Sequence, residues 1–415
     1  MSAHAFTAHA FTAHGLAAHG LAAHGLAAGR AHGFTADGFE GVRAAFAAAV
    51  NGPDGDPDAQ LAVFQNGRKV VDLWASPAGE HAITGLFSTA KGAAHLVVAL
   101  LVQDGTLELD RRVAEVWPEF AAHGKDRLTL RDLLGHRAGL VGADGGFGAA
   151  ELADDRLIAA RLAGQRPFWE PGTAYGYHAF VIGALTGEVV RRVTGRTIQE
   201  HFEERIRAPH DLDFHLGLPE SEESRFLPVL PAARAAGKVA ADSLTGIAFN
   251  ANSPDVDDVG EFLVAFANTR ATRALGPTSS GGVGHARGVA GMYAAAISPR
   301  ASGSPLLTAE TIAEFASPRA GAGTDLVTFE HDHFALGFEA QARRYPELGT
   351  DAFGHSGATG SQAFADPASG IAYSYVRRRF AVGGGGGAGE NAGLVAAVVR
   401  AARSSGVTVA SAAAG

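Results

Sequence analysis

The chain has 415 residues, a formal net charge of -9 and no cysteine. That charge balance, with a pI near 6.0, leaves no basic footprint for nucleic acid or an anionic membrane, and the missing thiols exclude disulfides, thiol catalysis and thiolate metal sites. Single hydrophobic cores stop growing near about 250–300 residues, so a soluble globular protein of two lobes is expected.

The chain opens on a repeated pentad, AHAFT twice and AHGLA three times, with His4, His9, His14, His19 and His24 in register. A period of five turns successive side chains about 140° around a helix, so neighbouring histidines do not share a face, and residues 1–33 read as a low-complexity disordered tail. The start lacks the positively charged and apolar regions of a secretory leader. The chain has no run of about 18 apolar residues to span a bilayer, and a cytoplasmic location is expected.

Gly38 to Val50 carries apolar residues at helical spacing and is ended by Asn51-Gly52-Pro53-Asp54-Gly55. Next, Leu61–Gln65 and Arg68–Trp74 flank Asn66-Gly67, the strongest short-range signal for a β-hairpin. Ser88-Thr89-Ala90-Lys91 then precedes the apolar run Gly92 to Val102. From about Leu107 to Ala271 the pattern is helical: Leu130–His136 after a Thr129 cap, Ala149–Gly164, Phe180–Thr194 and Ile198–Ile206. Strand character returns at His333–Ala342, Phe353–His355, Gln362–Asp366 and Ile371–Arg377, with Pro367 to Gly370 as a turn, and Asn391–Ala402 reads as a closing helix. The expected fold is α+β: an antiparallel sheet built from both chain ends and covered by helices (34–115 and 285–405), with an inserted helical lobe (116–284) and a short tail (406–415).

The Ser88 segment carries the chemistry. A hydroxyl and an amine three residues apart lie one turn apart on a helix. Only four of the 34 basic residues are lysines, namely Lys69, Lys91, Lys125 and Lys238. Lysine, unlike arginine, loses its proton when desolvated and can act as a base. By chance S-x-x-K would occur roughly 0.2 times in a chain of this composition, so the spacing alone is only mildly specific. As purely structural residues, Ser88 would cap the helix and Lys91 would run its stem along the core.

Two further segments complete a pattern: Trp169-Glu170-Pro171-Gly172-Thr173-Ala174-Tyr175-Gly176-Tyr177-His178-Ala179, and Phe353-Gly354-His355-Ser356-Gly357-Ala358-Thr359-Gly360. With the Ser88 box and Leu130 to Leu140, the region 37–403 resembles the serine β-lactamase and penicillin-binding-protein superfamily, most nearly its β-lactamase-like carboxylesterases, the family VIII esterases. The resemblance implies Ser88 as nucleophile, Lys91 as general base and Tyr177 as proton relay, with an oxyanion hole from the backbone N–H groups of Ser88 and Ala358. His355, Gly357, Tyr175 and Trp169 are implied beside the substrate, which would be a small ester or amide, with no cofactor and no metal. Tyr175, two residues from Tyr177, competes for the relay role.

Two departures bear on substrate. Ala179 stands where lactamases of the Tyr-x-Asn type carry an amide, and His355 stands where they carry the lysine of K-T-G. Both remove groups that grip a β-lactam, whereas an ester needs neither. His136 and His178 read as structural. Gly354-His355-Ser356-Gly357-Ala358 misses the G-x-S-x-G elbow at its last position, and no H-E-x-x-H or P-loop motif occurs. The expected activity is ester hydrolysis through an acyl-enzyme on Ser88. An acyltransferase, a hydrolase of D-configured or cyclic amides, and a non-catalytic binding domain of the same fold stand as alternatives.

Overall fold

The computed structural model describes residues 31–56, 58–75, 79–234, 237–299, 303–318, 323–382 and 387–405. The pentad repeat and the final ten residues lie outside them.

The described residues form ten strands: β1 (His32–Thr35), β2 (Gln60–Gln65), β3 (Arg68–Trp74), β4 (Thr84–Phe87), β5 (Phe214–Leu216), β6 (Gly282–Gly284), β7 (Glu339–Ala340), β8 (Phe353–Ser356), β9 (Gln362–Asp366) and β10 (Ile371–Val376). Seven form one antiparallel sheet in the order β1-β3-β2-β10-β9-β8-β7, and three form a small sheet in the order β4-β6-β5. The large sheet is closed by β2 against β10, with Gln65 opposite Ile371 and Gln60 opposite Val376, so both ends of the chain meet at its centre. Asn66 and Gly67 both take positive φ, 49° and 76°, as the two-residue hairpin turn of matching twist requires.

Alternation along the strands sorts the two faces. Leu61, Val63, Tyr373 and Tyr375 pack with helix α1 (Glu40–Val50) and the closing helix Glu390–Ser404. Ala62, Ala363, Ala365 and Ala372 turn to the other face, where small side chains let the helix Ala286–Ile297 and helix α2 (Thr89–Gln103) come close. Helix α2 is the central element: every residue from Thr89 to Leu101 is buried.

The structure redraws several sequence boundaries. The strand expected over His333–Ala342 shrinks to Glu339–Ala340, because Ala335 donates to Phe338 and Gly337 takes φ 77°, folding Phe334 back to bridge Glu339. The helix expected over Ala149–Gly164 divides into Ala149–Leu152 and Asp155–Gly164, since the Asp154 side chain caps the second piece by accepting from Arg156 N. Leu130–Leu134 has the full capping box of Thr129 and Asp132. The helix expected from Phe180 begins at Ile182, and Ile198–Phe202 gives way to a wider turn over Glu203–Arg207. Residues 32 and 33, assigned to the tail from sequence, lie in β1.

Candidate active site

Ser88 sits where β4 runs into α2, and it is the only residue from Ala82 to Leu101 that is not buried. Phe87, just before it, takes φ 48°, a conformation that costs a bulky residue about 1–3 kcal/mol and recurs at functional turns. Two glycines press this turn into place. A Cβ on Gly357 would stand 2.5 Å from Leu86 O and 3.1 Å from Thr89 Oγ1, and one on Gly282 would stand 3.0 Å from Ala90 Cβ. The end of β8 and the small sheet therefore pack directly on the N-terminus of α2.

Ser88 makes no capping hydrogen bond. Its hydroxyl instead lies 3.1 Å from Lys91 Nζ and 2.9 Å from Tyr177 Oη. The capping role open to it from sequence alone is not the one it has. Lys91 is fully buried, and its Nζ donates to Ala179 O at 2.5 Å and Ser279 O at 2.7 Å. Burial drives its pKa well below that of an ordinary lysine, although Glu339 and Asp155 pull the other way. A neutral amine has two N–H bonds and one lone pair. In that form the two carbonyls would take the N–H bonds and the lone pair would face the Ser88 hydroxyl.

Tyr177 is delivered by two loops that fasten to each other. Phe168 N donates to Gly139 O, Gly172 N to Arg137 O and Gly176 N to His136 O. His178 accepts from Leu140 N through Nε2, while its backbone N donates to His136 Nδ1. Both histidines thus hold the scaffold, as the sequence reading had them. Tyr177 N donates to Asp325 Oδ1 at 3.2 Å, the same oxygen that receives Val327 N and Thr328 N. The Tyr177 ring stacks on Phe334 at 5.1 Å and lies 5.0 Å from Lys91 Nζ. Burial raises its pKa, so the phenol carries its proton. Tyr175 points elsewhere: its hydroxyl donates to Gly323 O at 3.0 Å.

His355 is buried, with Nδ1 2.8 Å from Ser356 O and 3.3 Å from Glu339 Oε1. Burial lowers its pKa to about 4, the nearby Glu339 carboxylate opposing that shift only in part. The position that carries a lysine in K-T-G boxes therefore holds a neutral side chain. Trp169 is half-buried with its indole N–H on Ala174 O, and packs with Phe168 against a cluster containing Tyr175, Tyr177, Ala179 and Phe334. That cluster is an apolar wall beside Ser88.

Sequence reading missed Asp325, Glu339 and the carbonyl of Ser279. None carries a local signal, since Asp325 is 148 residues from Tyr177 and Ser279 is 188 from Lys91. Among the described residues no group of three or more His, Asp or Glu has the placement of a metal site. Among them, too, no helix is long and apolar enough to cross a membrane.

The buried histidines set a pH dependence of stability. Burial lowers His95 to about 3, His178 and His355 to about 4, and His136 well below 6.5. Groups neutral in the fold but protonated when unfolded contribute stability above about pH 6.5, and it is lost as pH falls toward their folded values. Calorimetric Tm is expected to drop steadily from pH 6.5 to 4 at fixed ionic strength. A flat profile over that interval would show that the histidines are not held neutral.

A hydroxyl between a depressed lysine and a neutral tyrosine, at the N-terminus of a buried helix under an antiparallel sheet, is the core of a serine hydrolase. The beta-lactamase family model matches residues 46–397, and the chain belongs to that family. Its relatives include the esterase/beta-lactamase LipL of Mycobacterium tuberculosis, 30% identical over 333 residues, covering 77% of this chain and 76% of that protein. Among solved structures, EstA of Arthrobacter nitroguajacolicus Rue61a is 41% identical with a TM-score of 0.80, covering 90% of this chain and 98% of EstA. A family VIII carboxylesterase is 33% identical with a TM-score of 0.78, covering 89% and 99%.

Proposed function

We propose that this protein hydrolyses uncharged carboxylic esters through a covalent acyl-enzyme on Ser88. The observation that carries the reading is the Ser88 hydroxyl held 3.1 Å from Lys91 Nζ and 2.9 Å from Tyr177 Oη. Neutral Lys91 takes the hydroxyl proton as Ser88 Oγ bonds to the ester carbonyl carbon. The developing oxyanion is received by the backbone N–H groups of Ser88 and Ala358, at the positive end of α2. As the C–O bond breaks, the departing alkoxide takes the Tyr177 proton, and the Lys91 ammonium restores it. Water then adds to the acyl-enzyme with the same groups in reverse, releasing the acid and restoring Ser88. Every proton moves between protein groups, substrate and water.

The esterase relatives support the ester as substrate. So do the two departures at Ala179 and His355, because neither side chain offers the amide or the cation that a lactam's amide and carboxylate would use. The test compares p-nitrophenyl butyrate, its p-nitroanilide analogue and a chromogenic cephalosporin on the full chain. The ester is expected to lead in kcat/KM by about a hundredfold or more. Equal or faster turnover of the anilide or the cephalosporin would contradict the reading.

A further inference from the structure

Glu339 is a buried carboxylate on a two-residue strand, opposite Gly354 of β8. It receives the Ser356 hydroxyl at 2.6 Å and the Gln341 amide at 3.1 Å, with His355 Nδ1 at 3.3 Å and His333 Nε2 at 4.0 Å. His355 Nδ1 therefore faces a carboxylate oxygen and, at 2.8 Å, the Ser356 carbonyl. Both are acceptors only, so the single proton of a neutral imidazole sits on Nδ1, and Nε2 on the opposite edge carries a lone pair. That Nε2 is buried and has no hydrogen-bond partner among the described residues. The His355 ring lies 5.9 Å from the Tyr177 ring, and its strand leads within three residues to Ala358. A buried acceptor without a donor is costly to leave unmatched and marks a place where a donor belongs.

We propose that Glu339 is a positioning residue, holding His355 in the Nδ1–H tautomer so that Nε2 offers bound substrate an uncharged hydrogen-bond acceptor. The preferred esters then carry a hydroxyl donor where it meets His355 Nε2, and esters bearing a carboxylate there are rejected. This rests on the ester-hydrolase reading of Ser88.

Three butyrate esters of similar size test it on the full chain: 2-hydroxyethyl, propyl and carboxymethyl butyrate. Wild type is expected to favour hydroxyethyl over propyl by about tenfold in kcat/KM, and to disfavour carboxymethyl by a similar factor. In His355→Phe the hydroxyethyl-to-propyl ratio falls toward one, whatever the absolute rates. In Glu339→Gln it falls severalfold, and Glu339→Asp recovers part of it. Nitrogen NMR of histidine-labelled protein, with His355 assigned by comparison with His355→Gln, reads the tautomer without turnover. Wild type is expected to show a protonated Nδ1 and an unprotonated Nε2, and Glu339→Gln a mixture. An Nε2–H signal in wild type, or propyl turned over as well as hydroxyethyl, overturns the proposal. Absence of turnover on all three esters overturns the ester reading and the substrate preference with it, while the spectrum still decides the tautomer.

Discussion

Lys91→Arg is expected to fold and to lose ester turnover by on the order of 10⁴-fold in kcat. Arginine keeps positive charge and hydrogen-bond donors near Ala179 O and Ser279 O, so a lysine acting only as a cation or a structural donor would be replaced tolerably. A guanidinium, however, stays protonated throughout the accessible pH range and has no lone pair for the Ser88 proton. The wild-type pH profile belongs to the same prediction. Because burial lowers the Lys91 pKa, kcat/KM rises with pH to a plateau reached below the ordinary lysine range, whereas the variant's residual rate lacks that rise. Steady-state kinetics from pH 5 to 10, beside thermal unfolding curves, checks both. More than a tenth of wild-type kcat in the folded variant would remove Lys91 from the role of base.

Ser88→Ala is expected to be the most damaging single change, on the order of 10⁵–10⁶-fold in kcat, because it deletes the atom that carries the acyl group. Its structural cost is small by comparison. Ser88 is partly exposed, caps nothing, and has its neighbours fixed by Phe87 and by Gly357 against Leu86. A melting temperature within a few degrees of wild type, alongside lost turnover, separates chemistry from folding. Any rate left over reflects binding and polarisation by the remaining groups.

Features written in short stretches of sequence were legible from it. Asn66-Gly67 specifies its turn through two positive φ values, Thr129 and Asp132 cap a helix three residues apart, and the apolar run after Lys91 is the central helix. The Ser88, Tyr177 and His355 boxes stand together because each carries its own local pattern. Elements defined by contact alone were not legible. Strand β6 is Gly282-Val283-Gly284, whose two glycines give it little strand propensity, and it is flanked on both sides by β4 and β5. Glu339 looks like a lone charge in an apolar run until the hairpin at Gly337 turns it toward His355. Asp325 looks like a loop aspartate until Tyr177 N meets it. These long-range polar partners orient the groups that local motifs announce.

The most direct test of the central claim is rapid mixing with p-nitrophenyl butyrate, acid quench, and intact and peptide mass of the enzyme. One butyryl group on the peptide containing Ser88, present in wild type and absent in Ser88→Ala together with turnover, is the predicted result. Turnover that persists in Ser88→Ala, or a butyryl group carried by another residue, would contradict it.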